Sequence, residues 1–387
     1  MFYKIINRKK LAGVRLADII GYALWSPVSI FNRKAPPRKE DVREILVVRT
    51  AYLGDVIMTL PMLKPLKELY PEARITFLTT SAAKDLFKAN PYVDGVITYD
   101  AFWFYKKTEG LLGFLKRLRS RRFDLVIEAR ADIRDIFFIA YLSGARHRVS
   151  YKVGGGGFLL TGIVPYEIIK HRVDYHLDIV RYLGGRPEKI DWGINISEDE
   201  GRKAERLLSE GGSSGPAIGI HPGGRKGLKC WPPERFAELA DKIIERFGAK
   251  VFFTGGPDEA ALIDGILGLM KKRARSLAGR ADLRTAFAVI GRFDLFITND
   301  SAPLHIASAM STPTVALFGP SKSNETGPYG NINRVVEKPF PCRVMCDEDV
   351  CNHTVKKACM DAVLVEDVFK AVEEVLRQTG KQGGTVS

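Results

Sequence analysis

The sequence contains few cysteines and no long uninterrupted apolar run, and both shortages exclude whole classes of protein. Of five cysteines, only Cys230 lies outside the C-terminal region. Secreted scaffolds held by disulfides have an even spread of cysteines, so the body of this chain is expected to be cytosolic. The largely apolar stretch 16–31 contains Asp18 and Pro27, whereas a membrane-spanning helix needs about 20 apolar residues in succession. A transmembrane anchor is therefore not expected there.

Two further absences narrow the choice of ligand. No G-x-G-x-x-G follows the first predicted strand, so a dinucleotide-binding fingerprint is not supported. No aromatic-rich basic platform and no groove-reading helix is present, so nucleic acid is not an expected partner. Lysine and arginine (59) nevertheless outnumber aspartate and glutamate (45), which gives a formal net charge of +14. A charge of this sign favours a phosphorylated substrate or an anionic membrane surface.

Residues 1–40 are predicted to form a basic amphipathic extension. Arg15 and Asp18 fall on a narrow polar face of a helix, whereas Leu16 and Ile19 lie elsewhere. Such a helix lies in a membrane interface over anionic lipid or packs on the protein's own body, and the sequence leaves both alternatives open. Asp18 and the lack of a small-residue cleavage site argue against a signal peptide. Basic residues flank the apolar stretch on both sides: Lys4, Arg8, Lys9, Lys10, Arg33, Lys34, Arg38 and Lys39.

The rest of the chain alternates strands with helices in two series. The run 45–48 is continuously apolar, which is typical of a strand buried on both faces of a parallel sheet. A second series starts at 216, after the linker-like GGSSG at 211–215. The 387 residues therefore predict an α/β fold with two doubly wound domains. We place these domains at 41–210 and 211–364, followed by a C-terminal helix and tail at 365–387.

The loop after the first strand carries a candidate catalytic group. Leu53-Gly54-Asp55 follows the buried strand directly. Ligands of open α/β sheets bind at the carboxyl ends of the strands, and Gly54 would let a ligand approach the backbone. Asp55 could instead cap the next helix, because aspartate is a preferred N-cap residue.

Three loops of the second domain also place polar groups after predicted strands. A glycine-rich loop frees backbone N–H groups to meet phosphate, and a nearby lysine adds a full positive charge. An acidic side chain accepts hydrogen bonds from ribose hydroxyls, and a helix N-terminus attracts a diphosphate. Helix capping and ordinary surface or core positions are the alternatives. The candidate donor-binding residues are Gly223, Gly224, Lys229, Glu259, Asp300, Ser301 and His305.

Three segments together resemble glycosyltransferase family 9, the lipopolysaccharide core heptosyltransferases. The segments are VVRTAYLGDVIMTLPMLKPLKELYP, HPGGRKGLKCWPPERFAELA and TNDSAPLHIASAMSTPTVALFGPS. The resemblance runs from Ile45 to about Val368, so the N-terminal 40 residues lie outside it. Ala302 stands where the family usually has glycine, which is a small departure.

The resemblance implies a GT-B fold, with two Rossmann-like domains facing each other across a cleft. The first would bind the acceptor and the second the nucleotide-sugar donor. The implied reaction is the inverting, metal-independent transfer of heptose from ADP-heptose to the lipopolysaccharide inner core. It would take place in the cytoplasm, with peripheral attachment to the inner face of the inner membrane. A relative that uses another nucleotide sugar or acceptor, and a GT-B-like sugar-nucleotide epimerase, are the alternatives.

The resemblance also assigns roles to individual residues. Asp55 matches the family's proposed general base, and Lys229 matches its phosphate-contacting lysine. Glu259 matches the position that holds the ribose. Asp300 and His305 match the donor-site pair near the diphosphate and the sugar.

A cysteine cluster lies beyond these motifs. Cys342, Cys346, Cys351 and Cys359 have the spacing C-x3-C-x4-C-x7-C. Four thiols so close together favour a structural zinc or iron–sulfur cluster; two disulfides are the alternative, which a reducing cytosol disfavours. No cofactor is expected for catalysis. The acidic triplet 347–349 between these cysteines is interpreted as a solvated loop.

Overall fold

The computed structural model of the chain divides into two compact units, Met1–Asn195 and Ile196–Ser387. It describes residues 5, 7–31, 33–103, 105, 110–209, 215–346 and 348–381. Each unit contains one six-stranded parallel sheet flanked by helices. The predicted α/β fold with two doubly wound halves is confirmed.

The first unit contains six strands and six α-helices. The strands are β1 Glu44–Val48, β2 Arg74–Thr79, β3 Gly95–Thr98, β4 Leu125–Glu128, β5 His147–Ser150 and β6 Gly162–Ile163. The helices are α1 Arg8–Phe31, α2 Leu53–Ile57, α3 Leu63–Leu69, α4 Leu111–Ser120, α5 Ile133–Asp135 and α6 Arg172–Tyr182. Short 3-10 turns span Lys39–Asp41, Leu60–Met62, Ser81–Phe87 and Gly157–Leu159, and a π-helical stretch spans Ile136–Tyr141.

The second unit contains six strands and eight α-helices. The strands are β7 Ala217–His221, β8 Lys250–Phe253, β9 Arg275–Ser276, β10 Leu295–Asn299, β11 Thr314–Phe318 and β12 Asn333–Glu337. The helices are α7 Glu198–Ser209, α8 Pro233–Phe247, α9 Ala260–Leu269, α10 Leu283–Ile290, α11 Ala302–Ala309, α12 Ser323–Thr326, α13 Ala358–Asp361 and α14 Val365–Gln378. Short 3-10 turns span Gly227–Lys229, Pro257–Glu259 and Pro341–Met345.

Both sheets have the same strand order. The first runs β3-β2-β1-β4-β5-β6, and the second runs β9-β8-β7-β10-β11-β12. In each sheet the order therefore reverses between the first and the fourth strand of the unit. Such a reversal opens a crevice at the carboxyl ends of these two strands, where ligands of doubly wound folds bind.

The boundary between the units lies earlier than the sequence indicated. We predicted it at residue 211, within the GGSSG segment, of which 211–214 lie outside the described residues. The structure places it after Asn195, because α7 packs against α10 of the second unit. The Arg284 guanidinium, which is 4% exposed, donates two hydrogen bonds to Glu200 of α7, at 2.9 and 3.1 Å.

The helix at the start of the C-terminal segment, α14, is likewise part of the second unit rather than a separate domain. Helix α14 packs on α8, β11 and β12. Its buried face includes Val368, Val372 and Val375, which join the same hydrophobic core as α8. The heptad-like spacing of these valines places them on one side of the helix.

Helix α1 packs on the first unit through a face that contains Val14, Asp18 and Gly21. The Asp18 carboxylate is 2% exposed and accepts a hydrogen bond from the Gly156 N–H at 2.8 Å. A Cβ atom at Gly21 would fall 2.2 Å from the Phe158 ring, so glycine permits the close approach. Packing on the protein's own body is therefore confirmed for this face. The opposite side leaves large apolar side chains 50% to 68% exposed: Leu16, Ile19, Ile20 and Leu24.

Among the described residues, no helix is long and apolar enough to cross a membrane.

The Glu200–Arg284 pair should stabilise the attachment of α7 to the second unit. We expect Glu200→Gln to lower the free energy of unfolding by about 3 kcal/mol, because Arg284 stays buried without its carboxylate partner. Glu198→Gln is the control, since the Glu198 side chain is 92% exposed in its pair with Arg202, and it should change stability by less than about 1 kcal/mol.

The same pair should give a pH dependence, which urea unfolding can measure. A hydrogen bond from Arg284 lowers the pKa of Glu200 to about 2. The stabilisation is therefore complete above the unfolded glutamate pKa of about 4.3 and is lost as the pH falls towards 2. Equal stability of the two variants would show that α7 is not held by this pair.

Candidate active-site residues in each unit

In the first unit, the structure places Asp55 at the carboxyl end of β1, next to the reversal of strand order. It lies in the first turn of α2, where Tyr52 rather than Asp55 is the N-cap residue. Asp55 Oδ1 instead accepts hydrogen bonds from Arg49 Nη2 at 2.9 Å and from Arg172 Nη1 at 3.0 Å. The capping interpretation is therefore wrong, and two guanidinium groups hold the carboxylate. Gly54 precedes it in the same turn of helix and is buried.

Arg49 ties Asp55 to the end of the neighbouring strand. It is 4% exposed, and its Nη1 donates to the Ala129 carbonyl oxygen at 2.7 Å, just beyond β4. His176 of α6 lies against the same oxygen, with Nε2 at 3.1 Å, and its Nδ1 lies 2.8 Å from the Met58 carbonyl oxygen after α2. The residues that position Asp55 thus come from β1, α2, β4 and α6.

Sequence reasoning missed these partners. Arg49 follows the apolar run of β1 directly, and a charged residue at the end of a buried strand is a signal that could have found it. Arg172 and His176 carry no such signal, because only the folded unit brings them to Asp55 and to the Ala129 carbonyl oxygen.

Two buried carboxyl groups lie at the end of β4 and were also missed. Glu128 accepts hydrogen bonds from the Ala131 N–H at 2.8 Å and from Ser150 Oγ at 2.7 Å. Asp135 accepts from Thr50 Oγ1 at 2.8 Å and from Trp103 Nε1 at 3.1 Å. Burial raises the pKa of both carboxyl groups. A group of this kind is suited to hold a proton near neutral pH.

In the second unit, Lys229 and Asp300 are brought together from loops 71 positions apart. Lys229 Nζ lies 2.7 Å from Asp300 Oδ2 and 2.7 Å from Glu348 Oε2. Burial lowers the pKa of Lys229, but the two carboxylates raise it by more, so that the net shift is upwards. The lysine is therefore held as a cation at the end of β10.

Gly223 and Glu259 meet at the carboxyl end of β7. A Cβ atom at Gly223 would fall 1.7 Å from Glu259 Oε1, so only glycine fits against this carboxylate. Glu259 Oε2 also accepts from the Gly256 N–H at 2.8 Å, and so caps its own turn. His221 lies beside the pair, with Nε2 3.6 Å from Glu259 Oε1.

Asn299 joins the loops of this site and was not singled out from the sequence. It is fully buried, and its Nδ2 donates to the carbonyl oxygens of Pro222 and Gly223 at 2.8 and 3.1 Å. Its Oδ1 accepts from the Trp231 N–H at 3.1 Å. One amide therefore fixes the glycine-rich loop, which includes Gly224, relative to the start of α8.

Ser301 and His305 flank the start of α11. Ser301 is the N-cap residue, but its side chain makes no capping bond, so capping does not account for it. His305 lies in the first turns of the helix and is 5% exposed. Asp300 and Ser301 therefore connect β10 to α11, and His305 lies one turn into that helix.

The cysteines are not arranged as the sequence predicted. Among the described residues none of the cysteines is joined in a disulfide; Cys342 is exposed and Cys359 is buried. Within the part of the chain that the structure describes, no three His, Cys, Asp or Glu side chains lie together as a metal-ligand set. The residues as placed do not fit a zinc ion or an iron–sulfur cluster, and the structural metal stays a prediction.

The acidic triplet is not a solvated loop, although its first residue, Asp347, lies outside the described residues. Glu348 contacts Lys229, and Asp349 Oδ1 lies 3.0 Å from Lys226 Nζ. The segment reaches the sheet edge because charge attraction draws it to these lysines, which a sequence pattern alone does not reveal.

Comparison with known proteins decides the family. A family profile described as glycosyltransferase family 9 (heptosyltransferase) matches residues 111–354, which is more than half of the chain. The chain belongs to glycosyltransferase family 9. It is therefore an enzyme that transfers a sugar.

Individual members of family 9 agree with this assignment. The chain is 28% identical to lipopolysaccharide heptosyltransferase 3 of Escherichia coli K12, over 84% of this chain and 96% of that protein. A family 9 glycosyltransferase from Veillonella parvula superposes with a TM-score of 0.74 at 25% identity, over 90% and 99% of the two chains. The E. coli ADP-heptose lps heptosyltransferase II superposes with a TM-score of 0.70 at 22% identity, over 87% and 99%. The GT-B fold is thus confirmed.

His176 should make the stability of this family 9 enzyme depend on pH. Burial, together with the nearby Arg49 charge, lowers the pKa of His176 to about 3. Below about pH 6.5 the unfolded histidine takes up a proton that the folded one does not, so stability is lost as the pH falls. Between pH 7 and pH 5.5 we expect urea unfolding to show a loss about 1 kcal/mol larger in wild type than in His176→Gln.

The control for this measurement is His353→Gln in the second unit, which should keep the wild-type pH dependence. The alternative is that both ring nitrogens donate to the two carbonyl oxygens, which requires a protonated imidazole. In that case the wild type would gain stability relative to His176→Gln as the pH falls, and the assignment of a neutral His176 would be wrong.

Proposed function

We propose that the chain transfers heptose from ADP-heptose to the lipopolysaccharide core in an inverting, metal-independent reaction. The observation that carries the proposal is the Asp55 carboxylate, held by two arginines at the carboxyl end of β1 in a family 9 chain. Its relatives are supportive, since one is named a lipopolysaccharide heptosyltransferase and another an ADP-heptose lps heptosyltransferase.

In the proposed reaction, the first unit supplies the base. Asp55 takes the proton from an acceptor hydroxyl while that oxygen attacks the anomeric carbon of the donor from the side opposite the leaving group. The new glycosidic bond forms as the bond to the nucleoside diphosphate breaks, which inverts the anomeric configuration. Arg49 and Arg172 hold the Asp55 carboxylate and fix its direction. This matters because a base acts only within hydrogen-bond reach of the proton it removes.

The second unit supplies the charge that the leaving group needs. The diphosphate gains negative charge as the sugar departs, and a preorganised cation with backbone N–H donors stabilises that charge. Lys229, the glycine loop at Gly223 and Gly224, and the α11 N-terminus at Ser301 provide such groups without a metal ion. Asp300 and His305 would lie near the diphosphate and sugar.

Glu259 would hold the ribose. Its carboxylate already accepts from the Gly256 N–H, but two carboxylate oxygens offer about four acceptor positions. A ribose hydroxyl can therefore be accepted without loss of the existing bond.

The first experiment measures transfer from ADP-heptose to heptose-free lipopolysaccharide, with EDTA present. We expect product from the wild type and a fall in kcat of about 10²- to 10⁴-fold in Asp55→Asn, since the variant retains the shape but not the base. Asp85→Asn is the matched control, because Asp85 is a surface residue of the same unit that pairs with Lys88.

The outcomes separate the parts of the proposal. Activity lost with EDTA and restored by a divalent cation would contradict metal independence. If only a different nucleotide sugar supports transfer, the donor is not ADP-heptose. If the protein epimerises a sugar nucleotide without an acceptor, the proposed transfer reaction is wrong. A kcat close to that of the wild type in folded Asp55→Asn would show that Asp55 is not the catalytic base.

We also propose that the enzyme works at the cytoplasmic membrane surface, with α1 as its contact to anionic lipid. The exposed side of α1 presents Leu16, Ile19, Ile20 and Leu24, and basic residues lie at Arg8, Lys9, Lys10 and Arg15. An apolar stripe beside basic residues is the pattern of helices that lie in a membrane interface. A lipid-linked acceptor is found at such a surface.

Liposome co-sedimentation tests this attachment. We expect binding to vesicles with anionic lipid, weaker binding to neutral vesicles, and at least a tenfold loss on changing Leu16, Ile19, Ile20 and Leu24 to serine, since each apolar side chain contributes about 1.5 kcal/mol or more on burial. The control changes Leu112 and Leu269, which are 83% and 59% exposed on other helices, to serine. Equal loss in both variants, or no loss in the α1 variant, would contradict the role of α1.

A further inference from the structure

The cysteine-rich segment 341–359 lies directly on the lysines of the proposed donor site. Glu348 Oε2 is 2.7 Å from Lys229 Nζ and 3.6 Å from Lys226 Nζ. Asp349 Oδ1 is 3.0 Å from Lys226 Nζ. The side chains of Lys229 and Lys226 are only 16% and 18% exposed, so these carboxylates cover much of the positive charge.

The lysine that would meet a diphosphate already has two carboxylate partners. Lys229 Nζ lies 2.7 Å from Asp300 Oδ2 and 2.7 Å from Glu348 Oε2. A diphosphate that binds Lys229 must therefore compete with these carboxylates. If Glu348 moves away, the Lys229 ammonium group keeps Asp300 and gains room for a phosphate oxygen.

The segment is held in a way that permits such a movement. Glu348 has a φ of 67°, in the left-handed region that glutamate rarely adopts. Ion pairs with the two lysines therefore keep a strained residue in place, and an anion that takes over the lysines also releases the strain.

We propose that Glu348 is a counter-charge for the donor site, which pairs with Lys229 in the empty enzyme and is displaced by the diphosphate of the donor. After transfer, Glu348 competes with the nucleoside diphosphate product for Lys229 and so promotes release of that product. Asp349 does the same at Lys226 with a smaller effect. The inference rests on the proposed function in one respect, which is that Lys229 binds a diphosphate.

The test measures ADP binding to the full-length protein by isothermal titration calorimetry. We expect Glu348→Gln to lower the Kd of ADP about tenfold, because the nucleotide no longer competes with a charged hydrogen-bond partner. Asp349→Asn should lower it less. Product inhibition by ADP in the transfer assay should become stronger in Glu348→Gln by the same factor.

The matched control is Glu337→Gln. Glu337 pairs with Arg343 of the same segment at 2.7 Å, but contacts neither lysine. It should leave the Kd of ADP unchanged. Lys229→Met completes a double-mutant cycle, in which the effect of Glu348→Gln should disappear.

Each result has one meaning. Unchanged or weaker ADP binding in folded Glu348→Gln, with wild-type binding that Lys229→Met weakens, overturns the counter-charge while leaving the donor site intact. A lower melting temperature of Glu348→Gln with an unchanged Kd overturns it in the same way, because the pair then serves only to hold the segment. No ADP binding to the wild type overturns the donor site and the counter-charge together.

Discussion

The reversal of strand order in each sheet is the constraint on which the rest of the structure depends. Helices leave β1 and β4, and likewise β7 and β10, towards opposite faces, so the carboxyl ends of these strands are not covered by the next backbone segment. Polar side chains at such an edge must find partners among themselves. In the first unit Arg49 and Asp55 do so, and in the second Lys229 and Asp300 do so.

Burial makes these pairs interdependent. Arg49 is almost completely buried, and a buried guanidinium group is tolerated only when carboxylate and carbonyl oxygens surround it. Asp55 and the Ala129 carbonyl oxygen supply those oxygens, and His176 fixes the same carbonyl from the other side. The position of the candidate base is thus set by requirements of the fold as much as by those of catalysis, which explains why several elements converge on one carboxylate.

The sequence predicts those features that depend on local chain order. Helices α8 and α14 follow apolar periodicity, and the polar motifs at strand ends lie where the alternation of strands and helices places them. Contacts between segments that are far apart in the sequence are not predicted by such patterns. Arg172 reaches Asp55 from 117 positions away, and Asn299 joins loops that only the folded sheet brings together.

Helix α1 shows why a pattern can mislead about direction. Its apolar residues would ordinarily face a core, but the loop at Gly156 offers an N–H donor, and the buried Asp18 carboxylate satisfies it. The Asp18 hydrogen bond, the buried Val14 side chain and the close glycine contacts therefore orient the helix, and the apolar stripe is left outside. Sequence periodicity reports that a helix has two faces, but not which of them meets the protein.

The lysine of the second unit illustrates how a buried cation is kept ready for a ligand. Desolvating an ammonium group is costly, and this cost is met during folding by Asp300 and Glu348. In the proposed exchange, a diphosphate would replace the Glu348 carboxylate while Asp300 stays in place, so the lysine would keep an anionic partner throughout. The proposed donor site would then be preorganised in charge before a nucleotide binds, which is the condition under which electrostatic stabilisation of a leaving group is most effective.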